Sequence, residues 1–249
     1  MVFDQQDGIA RITLNRPEKR NAINDELMTG LQDAVDRTAV DPAVRVVLIT
    51  GAGRDFCSGL DIRVLSESAN ASVEEHLALA QRLARVFLAM RKHPRPIVSA
   101  VRGRALGGGI GIATASDLIL ASDTAQFGYP EVKIGFMPAI VMSLLKRSIG
   151  EKRAFEMLTF GDSFPAAKAL EIGLINHVYS EADFEREVTD FVTTLASRAA
   201  TAVSLTKRLL YHTDSMSFEA AMEAGVQANA LSRMTEDAKR GFERFSRKS

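Results

Sequence analysis

The stretch Arg104-Ala-Leu-Gly-Gly-Gly-Ile-Gly-Ile-Ala-Thr-Ala115, with Ile97-Val-Ser-Ala-Val101 just before it, decides how this chain is read. The five residues 97–101 lie between Pro96 and Arg102-Gly103, a compact apolar run that predicts a strand buried on both faces. The glycines at 107–109 and 111 then turn the chain tightly into a helix. The first N–H groups of such a helix have no intrahelical acceptor. Those donors, with the positive end of the helix dipole, suit an oxygen that becomes negative during a reaction. Close packing of helix on strand is the plainer use of the same glycines. The run is not a dinucleotide fingerprint, because Ile112 stands where its last glycine belongs, and it lacks the lysine-hydroxyl pair of a phosphate-binding loop.

Outward from this stretch the chain alternates strands and helices. Ile9–Leu14 reads as a strand stopped by Asn15-Arg16-Pro17. Leu27, Leu31 and Val35 predict a helix from Asp25 to Val40, with Asp25 placed to cap it. Arg45–Thr50 is a second buried strand, and a long helix is expected from Val73 to Arg91. Downstream, 118–121 and 125–127 read as short strands, and Ala166–Glu171 as a helix after Pro165, closed by Gly173. Leu174–Tyr179 is expected to be the last strand, followed by helices over 181–198, 202–212 and 218–245. Helices between apolar strands define an α/β layer architecture. The expected organisation is an α/β unit over 1–180 and a helical region over 181–249, with no flexible linker between them.

Composition narrows the function. The 249 residues carry 31 basic and 31 acidic side chains, so there is no basic footprint for nucleic acid. Cys57 is the single cysteine, which excludes an internal disulfide and suits a reducing, cytoplasmic setting. Asp4 and Asp7 argue against a secretory leader, and no apolar run approaches the roughly 18 residues of a membrane span. His76, His93, His177 and His212 are scattered and show no metal-ligand spacing, so no metal is expected. Two further segments stand out: Phe56-Cys-Ser-Gly-Leu-Asp-Ile62 and Phe127-Gly-Tyr-Pro-Glu131. A carboxylate such as Glu131 in a loop is either a solvated charge or a proton carrier.

Taken in order, these pieces resemble the crotonase superfamily, also called the enoyl-CoA hydratase/isomerase family. The resemblance runs from about residue 9 to 248. It rests on Leu14-Asn-Arg-Pro-Glu-Lys-Arg-Asn-Ala-Ile23, Ser58-Gly-Leu-Asp-Ile62, Arg104-Ala-Leu-Gly-Gly-Gly109, Gln126-Phe-Gly-Tyr-Pro-Glu131, Gly150-Glu-Lys-Arg153 and Ala169–Val178. It implies a spiral of ββα units with a C-terminal helical region that covers the site and mediates assembly, by analogy as a homotrimer or hexamer. It implies an acyl-CoA thioester substrate, with CoA entering as part of the substrate and no separate cofactor.

By motif position, the amides of Leu60 and Gly108 hold the thioester oxygen and Glu131 is the acid/base. Lys19, Arg20, Ala22, Ser58, Leu60, Asp61, Ile62 and Arg63 fall where relatives contact CoA, the last four as a strand edge for adenine. Phe245 and Lys248 match C-terminal positions that reach CoA. The sequence departs from typical hydratases at Gly111, where they carry a second glutamate. One carboxylate suits double-bond isomerisation, while the segment after Glu131 resembles hydratases acting on branched glutaconyl-type esters. The leading expectation is hydration of 2-enoyl-CoA thioesters. The alternatives are an enoyl-CoA isomerase and a non-catalytic acyl-CoA-binding member of the fold.

Overall fold

The computed structural model describes residues 1–67 and 70–246, with the backbone alone at Phe245. Its main sheet has six strands: β1 (Val2–Gln6), β2 (Ile9–Leu14), β3 (Val46–Gly51), β4 (Ile97–Val101), β6 (Leu118–Ser122) and β9 (His177–Tyr179), hydrogen-bonded in that order. Only β1 and β2 pair antiparallel; the other neighbours are parallel. A smaller sheet holds β5 (Arg104–Leu106), β7 (Gln126–Gly128) and β8 (Ser163–Pro165). The chain therefore visits the main sheet, crosses to the small one and returns through helix: β4, β5, then α4 (Gly108–Ala115); β6, β7, then α5 (Ala139–Ile149) and α6 (Glu151–Phe160). This is the expected spiral of ββα units.

Why the strands read as unbroken apolar runs is now plain, since the main sheet is covered on both faces. On one face Ile12, Val47, Ile49 and Val101 pack with α1 (Asp25–Val40), α3 (Val73–Lys92) and the wholly buried α4. On the other, Val46, Leu48, Val98 and Leu120 meet Phe184, Val188 and Val192 of α8 (Phe184–Ala196). Helix α1 begins where expected, but its cap is Asn24, whose side chain accepts from the Leu27 amide, and Asp25 is the first helical residue. Helix α3 opens with a reciprocal capping box between Ser72 and Glu75.

Several expected boundaries move. Only 177–179 of the expected 174–179 strand pairs, because Ile175 and Leu174 are used up closing the turn after α7 (Ala166–Glu171), through bonds to the Ala169 carbonyl. The helix expected over 181–198 is α8, which starts at Phe184. The helix expected over 218–245 is two, α10 (Phe218–Arg233) and α11 (Glu236–Ser246), broken where the Thr235 hydroxyl caps the amide of Ala238. Helix α9 (Ala200–His212) is anchored by buried Lys207, whose Nζ reaches Asp117 Oδ2 at 2.8 Å and the carbonyls of Met90 and Arg95 at 3.1 Å each. Tyr211 donates to the other Asp117 oxygen at 2.5 Å. Asp117, half-buried, is the partner of a lysine 90 positions away. Among the described residues no helix is long and apolar enough to cross a membrane.

Candidate active site

Three chain segments run side by side and leave the small sheet at the same end. β5 and β7 are parallel with Leu106 opposite Gly128, and the Gly107 amide donates to the Gly128 carbonyl at 2.9 Å. On the other edge of β5, Cys57 pairs in parallel with Ala105, donating to Arg104 O and accepting from Leu106 N, both at 2.9 Å. Beyond that segment Ile23 bridges to Leu60, through Ile23 N to Gly59 O at 2.7 Å and Asp61 N to Ile23 O at 2.9 Å. In this pairing the neighbours of Leu60 face Ile23, so the N–H of Leu60 itself points the other way, toward β5 and the start of α4.

Glycine is required at two of these exits. Gly59 has φ +93°, and a Cβ on it would stand 3.0 Å from Leu106 O and 3.6 Å from Gly108 N. Gly107 has φ +52°, and its Cβ would stand 3.0 Å from Glu131 Oε1. Left-handed backbone and close backbone approach together leave no room for a side chain. The result is that the residue before Leu60, the first amide of α4 and the Glu131 carboxylate meet at one point. Among the described residues, neither the Leu60 nor the Gly108 amide donates to a backbone carbonyl. Unpaired N–H groups that converge are able to hold a developing oxyanion.

Glu131 sits in a single 3-10 turn, Pro130–Ile134, opened by proline and closed by left-handed Gly135. Its carbonyl accepts from Phe136 N at 2.9 Å, which fixes the backbone. Its Oε2 is buried with no hydrogen-bond partner among the described residues. Loss of water around the carboxylate raises its pKa above the usual glutamate value, the change a proton carrier needs. The large apolar side chains near Glu131 in the chain are not all turned inward. Phe127 is fully buried and stacked on Phe164, while Phe136 and Met137 are 50% and 61% exposed.

At Gly111 a Cβ would lie 2.6 Å from Val141 Cγ1 and 2.7 Å from Phe87 Cζ. Both side chains are buried, and they fill the space that a larger residue at this position would use. Neither was singled out in the sequence, where each is one apolar residue on a helical stripe.

The rival ionisable groups are otherwise engaged. Asp61 is buried, with Oδ1 accepting from Arg63 N at 3.1 Å and Oδ2 from Arg16 Nη2 at 3.0 Å. The Arg63 amide, and then the Arg16 guanidinium, hold its carboxyl below the usual range. Burial pushes the Cys57 thiol up to about 12, so no reactive thiolate is present at neutral pH.

Of the residues assigned to CoA, Lys19 and Arg20 are exposed, Ala22 is buried, and Ser58 is half-buried with its amide bonded to Arg20 O at 3.0 Å. The expected strand edge over 60–63 is not one. Leu60 makes a single bridge, and Ile62, 80% exposed, already starts the short helix α2 (Ile62–Glu67). Phe245 lies in α11 with its side chain outside what is described, and Lys248 lies outside the described residues. Among the described residues no three His, Cys, Asp or Glu side chains cluster as metal ligands.

Residues 4–249 match the sequence model of the enoyl-CoA hydratase/isomerase family. A Thermus thermophilus protein carrying an enoyl-CoA hydratase designation is 36% identical over 248 residues, spanning 100% of this chain and 98% of that protein. The crotonyl-CoA hydratase of Syntrophomonas wolfei is 32% identical, spanning 100% of this chain and 95% of its own length. The crystal structure of an enoyl-CoA hydratase from Mycobacterium smegmatis superposes with a TM-score of 0.95 at 29% identity, covering 99% of this chain and 96% of that one. With a family match along nearly its whole length and relatives that share its full span, the chain belongs to the enoyl-CoA hydratase/isomerase family, the crotonase superfamily.

Proposed function

We propose that the protein is a hydratase-type enzyme acting on 2-enoyl-CoA thioesters. The thioester oxygen accepts from the amides of Leu60 and Gly108, and Glu131 handles the protons. As water adds to the β-carbon, its proton passes to the carboxylate. The carbonyl meanwhile takes enolate character against the two N–H groups, and Glu131 returns a proton to the α-carbon. No net proton is gained or lost. The observation that supports this reading most is the buried, unpaired Oε2 of Glu131, whose other oxygen faces Gly107 beside the two free amides. The names of the relatives add to it, since both are hydratases of CoA esters.

The CoA moiety would lie along Lys19, Arg20, Ala22, Ser58 and the turn Leu60–Arg63, with Phe245 and Lys248 as further contacts by family resemblance. Basic side chains at 19, 20 and 63 suit its phosphates. No metal or redox group takes part in the scheme. The helical region from residue 181 would cover the site and join copies into a trimer or hexamer.

One observation favours a second reading. Phe87 and Val141 occupy the space beside Gly111, so Glu131 works without a second acid from that position. A lone carboxylate is enough for isomerisation, in which it takes a proton from one carbon of the substrate and returns it to another. The test is direct: purified protein with a short 2-enoyl-CoA should bleach the conjugated thioester absorbance and yield the 3-hydroxyacyl product. With a 3-enoyl-CoA an isomerase should instead create that absorbance. Binding of both esters with turnover of neither would make the protein a non-catalytic acyl-CoA binder and overturn the proposal.

A further inference from the structure

We infer that Arg16 is a positioning residue for the Leu60 amide, acting through Asp61; this rests on the oxyanion role proposed above. The side chain of Leu60 packs against the core, but its backbone is held by few hydrogen bonds. It has a single bridge to Ile23, and the chain turns at once into α2, which buries no side chain. What fixes the turn is the Asp61 carboxylate, gripped by Arg16 Nη2 at 3.0 Å, while Arg16 Nη1 donates to Ala22 O at 2.6 Å. One planar guanidinium thus ties the two segments that pair around Leu60, each through its own nitrogen.

Arg16 is in turn fixed at its root. Its backbone N donates to Asn21 Oδ1 at 2.8 Å, and buried Asn21 donates to Ala52 O at 2.9 Å and Asp55 O at 2.7 Å. Arg20 and Asn21 sit at φ +53° and +54°, a costly conformation for residues with a side chain. These bonds over-determine that turn and carry its rigidity to Asp61, whose N–H belongs to a peptide unit separated from that of the Leu60 N–H by the Leu60 Cα alone. Nothing local in the sequence links Arg16 to Asp61, which lies 45 positions on.

The test compares Arg16→Ala, Arg16→Lys and Asp61→Asn in the full chain. Saturated butanoyl-CoA labelled with ¹³C at the carbonyl reports the oxyanion contacts by infrared spectroscopy without turnover. Bound to the wild type, its carbonyl band should move to lower frequency. In Arg16→Ala the shift should shrink by about half and kcat should fall ~10- to 100-fold, less than the ~10²–10³-fold of deleting a donor outright. Methylguanidinium should restore part of the loss, whereas Arg16→Lys should not, since one ammonium cannot span both acceptors. Asp61→Asn keeps the bond to Ala22, and so should lower kcat about tenfold and shrink the band shift less than Arg16→Ala does; it serves if Arg16→Ala does not fold.

Folded variants with wild-type kcat and band shift would overturn the inference. So would activity lost only in step with the folded fraction. Absence of the shift in the wild type would overturn the oxyanion reading itself, and this inference with it.

Discussion

The site end of the small sheet and the C-terminal helices are built on opposite terms. Around Leu60, Gly108 and Glu131 the geometry is set by main chain against main chain, with glycines at the contacts and every segment paired on at least one side. From α9 onward the helices bury few side chains. Helix α10 has no buried residue, and Phe218 and Met234 are 76% and 72% exposed. What holds the region is a few polar contacts, chiefly Lys207 in a ring of oxygens from Asp117, Met90 and Arg95, with the Tyr211 hydroxyl on Asp117 and Arg147 on Asp214. Backbone pairing fixes positions closely, whereas side-chain contacts of this kind fix only where a helix docks.

Removing the acid tests the first region hardest. Glu131→Gln should lower kcat about 10³-fold, within the range for a lost acid/base, with the fold retained. Initial rates on a short 2-enoyl-CoA check this, and a loss under tenfold would mean that the proton carrier lies elsewhere. The anchor of the second region comes next. Lys207→Met leaves half-buried Asp117 without its cation and should cost about 3 kcal/mol of stability by denaturant unfolding. If the two regions are separable, kcat per folded molecule should change little.

A pH effect of similar origin follows from His93. It is buried between Thr38, 3.1 Å from Nε2, and the Arg95 amide, which donates to Nδ1 at 3.0 Å. Desolvation lowers its pKa to about 4, below the 6.5 of an unfolded histidine. The unfolded chain therefore binds the extra proton first, and stability falls as pH drops through the window from 6.5 toward about 4. The full effect is on the order of 3 kcal/mol and should disappear in His93→Gln, as melting at several pH values would reveal.

The smallest effect returns to the site. Because the pKa of Glu131 is raised in the folded state, its charged form is less stable there than in the unfolded chain. Glu131→Gln should thus raise Tm modestly at pH 7, and the gain should vanish below pH ~4, where the unfolded glutamate is protonated too. An unchanged Tm at pH 7 would mean that the carboxylate is well solvated.

The sequence carried the buried parallel strands and the long amphipathic helices because their periodicities are local. It missed β1, although Asp7-Gly8 between alternating segments is a hairpin signal, realised here with both residues at positive φ. It joined α10 to α11 because the break rests on a threonine cap rather than on glycine or proline. At the site, motif order singled out Glu131, Leu60 and Gly108. It gave no sign of the Phe87–Val141 plug or of the Arg16–Asp61 tie, whose members are far apart in the chain and meet only in the fold.

The plug beside Gly111 has an evolutionary consequence. A glutamate introduced at 111 alone meets two buried side chains and overpacks the core, so a single change there should destabilise the fold. Phe87 and Val141 have to shrink first, and each such step opens a void that is itself disfavoured. An acid at 111 is therefore accessible only together with changes at 87 and 141.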